Sequence, residues 1–128
     1  MKVIDVHTHT WTQDIVSQKD LEARRVAAAR LGVEPRLESR IEHLQEKMKD
    51  GGVERAVVLP IDSGLSKNVP ISLSEKTDHH VNEVKDIPNI STFVGIDPRR
   101  GEVGLRELER AVKEKGCLGW KMYPPQGF

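Results

Sequence analysis

The run Asp5-Val6-His7-Thr8-His9 carries the residue types and spacing best suited to chemistry. Side chains two apart on an extended strand point the same way, so Asp5, His7 and His9 are expected to share one face. Two imidazoles at that spacing reach a single divalent ion, and neutral imidazole is a good ligand for zinc and its neighbours. Asp5, one step deeper, is placed to orient a ligand histidine from behind. The bland alternative is a histidine pair that merely ends a strand, since a metal centre needs further convergent ligands. Three more residues have paired readings. Arg99, with Arg100, offers forked hydrogen bonds to an anion or caps a turn in water. Trp11 stacks on a substrate ring or covers the mouth of the site without touching it. Lys121 pairs with a substrate carboxylate or extends its amine to solvent.

Four β-branched runs must position these groups, at residues 3–9, 56–61, 90–96 and 118–123. The polar stretches between them have helical periodicity, so the order reads β-α-β-α-β-α-β. Leu37, Ile41, Leu44 and Met48 form one apolar stripe, stopped by Gly51-Gly52. Upstream, Leu21, Val26 and Ala27-Ala28-Ala29 mark a separate helix that breaks before Pro35. Ser72 and Glu75 stand at capping-box spacing ahead of Val81, Val84 and Ile87, and Pro88 closes that helix. Leu105, Leu108 and Val112 give the third stripe, ending at Gly116. Alternating strand and helix implies a parallel sheet, with ligands bound at the rim where the strands end. The rim segments are His9-Thr10-Trp11, Ile61-Asp62-Ser63-Gly64, Asp97-Pro98-Arg99-Arg100 and Pro124-Pro125-Gln126-Gly127. His43, His79 and His80 fall on helices and are read as surface residues; neighbouring helical positions diverge by about 100°, so His79 and His80 are not expected to share an ion.

With 128 residues there is room for one domain. Twenty basic against twenty acidic side chains leave no net charge, which argues against nucleic acid or a membrane surface as partner. No apolar run approaches the roughly 20 residues of a membrane span. An acidic residue at position 5 interrupts any signal-peptide core, and one cysteine, Cys117, excludes an internal disulfide, so a cytoplasmic location is expected. Cys117 itself reads as a small buried hydrophobe.

Ile4-Asp5-Val6-His7-Thr8-His9 resembles the opening motif of the metal-dependent amidohydrolase superfamily. Gly52-Val53-Glu54-Arg55-Ala56-Val57-Val58-Leu59-Pro60 is similar to the second strand of its amidohydrolase-related branch. Phe93-Val94-Gly95-Ile96-Asp97-Pro98 and Gly119-Trp120-Lys121-Met122-Tyr123-Pro124-Pro125 resemble the third and fourth. The family's proline after the histidine pair is replaced by the neighbourhood of Trp11. The resemblance implies an α/β fold, the N-terminal half of a TIM-like (β/α)8 barrel with about four parallel strands and intervening helices. Residues 1–128 then form a single partial domain, because the family completes its metal site with a histidine from the fifth strand and an aspartate from the eighth.

The resemblance further implies that His7 and His9 bind a divalent metal, expected to be Zn²⁺, with Asp5 in support and Lys121, Trp11 and Arg99 as possible contacts. Some superfamily members carboxylate a lysine at the Lys121 position to bridge two metals. A bound metal would lower the pKa of a coordinated water for attack on an amide, ester or lactone of a small-molecule substrate. Relatives use the same site for nonoxidative decarboxylation or hydration, so those reactions stay open. Two further readings are a phosphoesterase of the polymerase-and-histidinol-phosphatase type and an inactive, self-associating fragment. The open edges of a half barrel lead to the expectation of a homo-oligomer.

Overall fold

The computed structural model describes residues 2–126. Met1, Gly127 (the last residue of the fourth rim segment) and Phe128 lie outside the described residues. Strand β1 (Val3–Thr8) leads through helices α1 (Gln18–Leu31) and α2 (Ile41–Asp50) to β2 (Val53–Val58). Helix α3 (Leu73–Val84), the short strands β3 (Ile90–Thr92) and β4 (Val94–Gly95), helix α4 (Glu102–Lys113) and β5 (Trp120–Lys121) follow. Every strand pairing is parallel, in the orders β1-β2-β3 and β4-β5. The fold is therefore mixed α/β with parallel strands, as the alternating pattern implies.

The run 90–96 is not one strand. At Phe93 it changes partner: the Phe93 N–H still donates to Val58, while the Val94 N–H already donates to Gly119. Leu118 N–H donates to Thr92, so the two ladders are stitched at that point. The second strand begins three residues earlier than expected because Gly52, at φ 65°, turns α2 directly into it.

Local signals set the helix ends. Ser17 and Ser72 each accept from the backbone N–H three residues on, and Glu75 reaches back to Ser72 to complete the capping box. Gly32, at φ 66°, ends α1 in the left-handed conformation that costs a side chain-bearing residue about 1 kcal/mol or more. Leu37 is not on the α2 stripe, since the helix starts at Ile41.

Two apolar clusters hold the layers together. Ile41 and Met48 of α2 and Val84 of α3 pack on Ala56, Val58 and Ile90 of the sheet. Val94, Ile96, Ala111 and Cys117 form the second, with Leu73, Val81 and Leu108 against it. Here the expected α4 stripe is rotated: Gly104, Glu107 and Ala111 are buried, whereas Leu105 and Val112 are exposed. The cause is Gly104, where an added Cβ would sit 2.9 Å from Ile96, so that face alone can approach the sheet closely. Apolar side chains also stand exposed on the two outer strands: Ile4 at 56% and Val6 at 64% on β1, and Leu118 at 66% beside β5.

Candidate metal centre and cleft at the strand ends

The C-terminal end of β1 brings the two histidines together. His7 Nε2 and His9 Nε2 are 3.2 Å apart, with the rings edge to face. His9 Nδ1 lies 2.7 Å from the Leu59 carbonyl oxygen, to which it donates. That bond fixes the tautomer and leaves the Nε2 lone pair facing His7. Burial, together with the nearby His7 and Lys121, keeps the His9 pKa below its ordinary value against the opposing pull of Leu59. The ring is therefore neutral near pH 7, the form a metal requires.

Asp5 contacts the main chain of the strand it stands on. Its Oδ1 accepts the His7 backbone N–H at 3.0 Å. The β1–β2 register shifts between Asp5 and Thr8. Asp5 thus steadies the main chain that carries His7.

A cleft of about 290 Å³ opens beside His9, lined among others by Trp11, Lys76, His80 and Tyr123. Trp11 is fixed by two backbone hydrogen bonds with Ser39 and by an Nε1 bond to the Leu37 carbonyl, and the Arg24 guanidinium lies 4.1 Å from its ring centroid. Lys121 Nζ is 5.9 Å from the centroid of the Tyr123 ring, which lines the same cleft. Lys76 reaches from α3, donating to the Ile61 carbonyl at 2.9 Å, and burial lowers its pKa.

Arg99 and Arg100 do not line this cleft. The Arg99 guanidinium forks onto Asp97, and Arg100 forks onto Asp62 at 2.5 and 2.9 Å. Arg100 ties the loop after β4 to the loop after β2, whereas the Arg99 fork closes within its own loop. Asp62 also accepts the backbone N–H groups of Asp97 and Gly64, so one buried carboxylate joins the loops after β2 and β4.

The expectation that His79 and His80 are surface residues is overturned, and their side chains converge although the sequence spacing argued against a shared ion. His80 is 2% exposed, and ligand atoms of His79, His80 and Glu83 lie within 4.8 Å of one another. The rings leave the helix about 100° apart, but His79 offers its far nitrogen and His80 its near one, and both converge on Glu83. Thr10 Oγ1, from the loop after β1, donates to Glu83 Oε2 at 2.8 Å. Burial alone would raise the Glu83 carboxyl, but the facing His79, His80 and Thr10 bring it down to about 2. The sequence held a signal for this face: Lys76, His80 and Glu83 recur at i, i+4 and i+7, one side of a helix. His43 stays exposed, accepting the Arg40 N–H at the start of α2.

The sequence matches no protein-family model and no curated protein. Its fold is similar to the crystal structure of a dihydroxybenzoic acid decarboxylase from Polaromonas sp. JS666, solved with bound manganese and the inhibitor 2-nitroresorcinol. The TM-score is 0.58 at 21% sequence identity, over 94% of this chain and 38% of that one. The chain thus shares a fold with part of an enzyme and spans well under half of its length.

Proposed function

We propose that this chain is the amino-terminal part of a metal-dependent enzyme of the amidohydrolase type, acting on a small organic substrate. One observation carries the reading: two imidazole Nε2 atoms meet at 3.2 Å at the strand end, one of them held in the metal-binding tautomer by a backbone carbonyl. A divalent cation bound there supplies Lewis-acid polarisation and an acidified water. The paired imidazoles suit Zn²⁺, and the manganese in the structural neighbour makes Mn²⁺ the other candidate. His7 and His9 hold the ion, the Asp5–His7 contact stiffens their strand, and Trp11 and Tyr123 wall the cleft in which a substrate lies. Lys121, near enough to bias His9, is the cationic group on the β5 side. Nonoxidative decarboxylation of an aromatic acid is favoured by the neighbour's activity; hydrolysis of an amide, ester or lactone is the second reading, favoured by the acidified water that the same ligands support.

The test is equilibrium dialysis against Zn²⁺ and Mn²⁺ followed by emission spectroscopy. The His7→Ala, His9→Ala double variant is expected to lose about 100-fold or more in affinity at this site, since outer-shell changes alone cost 10–100-fold. Unchanged uptake of both ions in that variant would remove the assignment.

The alternative to that reading is a chain that self-associates as a homo-oligomer. β1 and β5 each pair on one side only, among the described residues, and each leaves large apolar side chains in water. A second copy covering those edges is the occupant we propose, in a compartment where Cys117 stays a buried thiol. Light scattering on the purified chain is expected to give twice the monomer mass; a cooperatively unfolding monomer at every concentration contradicts it. Among the described residues no helix is long and apolar enough to cross a membrane.

A further inference from the structure

We propose that His79, His80 and Glu83 form a second divalent-cation site, of the zinc type, separate from the His7/His9 pair and clasping α3 to the loop after β1. The proposal does not rest on the function proposed above. Its starting point is an atom without a hydrogen-bond partner: His79 Nε2 is buried yet makes no hydrogen bond. Glu83 Oε1 is 3.6 Å away, beyond hydrogen-bonding range. A buried polar atom left in this way carries its full desolvation cost unless something else satisfies it.

The distances that make i,i+3 and i,i+4 contacts along the helix also fit coordination. Zinc bonds of about 2.0–2.1 Å in a tetrahedron set neighbouring ligand atoms about 3.3 Å apart. His80 Nδ1 to Glu83 Oε2 is 3.3 Å, and His79 Nε2 to Glu83 Oε1 is 3.6 Å. With all three ligand atoms inside 4.8 Å, an ion draws the widest edge in by no more than about 1.5 Å, within the reach of imidazole rotation. Two imidazoles and a carboxylate are a borderline donor set, which favours zinc over calcium or magnesium. Three protein ligands leave the fourth position to water. The outer support is already present, since the Thr10 hydroxyl donates to the Glu83 carboxylate and ties it to the β1 loop.

The test is a zinc titration against a chromophoric chelator, with Co²⁺ absorption as a second readout. In the His7→Ala, His9→Ala background, one equivalent of zinc is expected to remain bound. Adding His79→Ala should weaken it at least tenfold and abolish the intense visible bands of tetrahedral Co²⁺. His79 is the substitution of choice because its Nε2 makes no hydrogen bond to lose; His79→Ala alone, in the otherwise native chain, gives the same comparison should the double variant fail to fold. Zinc should also raise the thermal midpoint of the double variant and not that of the triple variant. Zinc uptake that vanishes with His7 and His9 alone, or that is indifferent to His79→Ala, overturns the second site and leaves the first standing. Uptake that depends on His79 alone does the reverse.

Discussion

Asp62→Ala is expected to destabilise the chain by about 3–5 kcal/mol, the usual consequence of leaving one member of a buried ion pair uncompensated. Against the roughly 5–15 kcal/mol of a typical domain, that loss brings the chain near its threshold at room temperature. The reason is convergence. Asp62 takes a fork from Arg100 and two backbone N–H groups, and its removal strands all of them in a region where Arg100 is itself mostly buried. Burial alone would raise the Asp62 carboxyl, but Arg100, Asp97 and Gly64 outweigh it and hold it below the usual carboxylate range. A depressed folded pKa stabilises above the unfolded value, about pH 4, and that contribution is lost as pH falls through the folded pKa. Urea midpoints for native and Asp62→Ala chains should therefore differ widely at pH 7 and converge below pH 4. A constant gap across that range would show that the carboxylate charge is not what matters.

Gly95→Ala is expected to cost about 3 kcal/mol or more, the upper end of what overpacking does in a core. Its added Cβ would meet the Pro60 carbonyl oxygen at 2.3 Å and carbon at 2.7 Å, and the Asp62 nitrogen at 3.2 Å. These are backbone atoms, so relief requires β4 or the loop after β2 to move. Gly95 has no positive φ, so close approach rather than backbone conformation demands the glycine. Displacement of Pro60 also shifts Leu59, whose carbonyl sets the His9 tautomer, so metal affinity should fall with stability. Gly32→Ala is the control: a positive φ but open space, with an expected loss nearer 1 kcal/mol. Similar thermal midpoints for the two variants would mean that the sheet absorbs the Gly95 clash.

The contrast between these glycines marks how far the sequence could be read. Gly51-Gly52 declares itself, because a helix stop depends on the residues beside it. Gly95 does not, because the atoms it makes room for lie more than thirty positions away. Arg99 and Arg100 pose the same problem: a forked cation has one appearance in sequence whether it awaits a ligand or grips Asp97 and Asp62.

The sequence alone determined the alternation of parallel strands and helices, the capping box at Ser72 and Glu75, and the meeting of His7 with His9. Each rests on periodicity or on a contact within a few residues, where backbone geometry leaves little choice. The tertiary structure decided the partner switch at Phe93, the rotation of α4 onto Gly104 and the burial of the His80–Glu83 helix face under Thr10. Those depend on which distant backbone groups and side chains the fold brings within bonding distance. A cluster joining residue 10 to residue 83 exists only once β1 and α3 have packed, and no local spacing records that event.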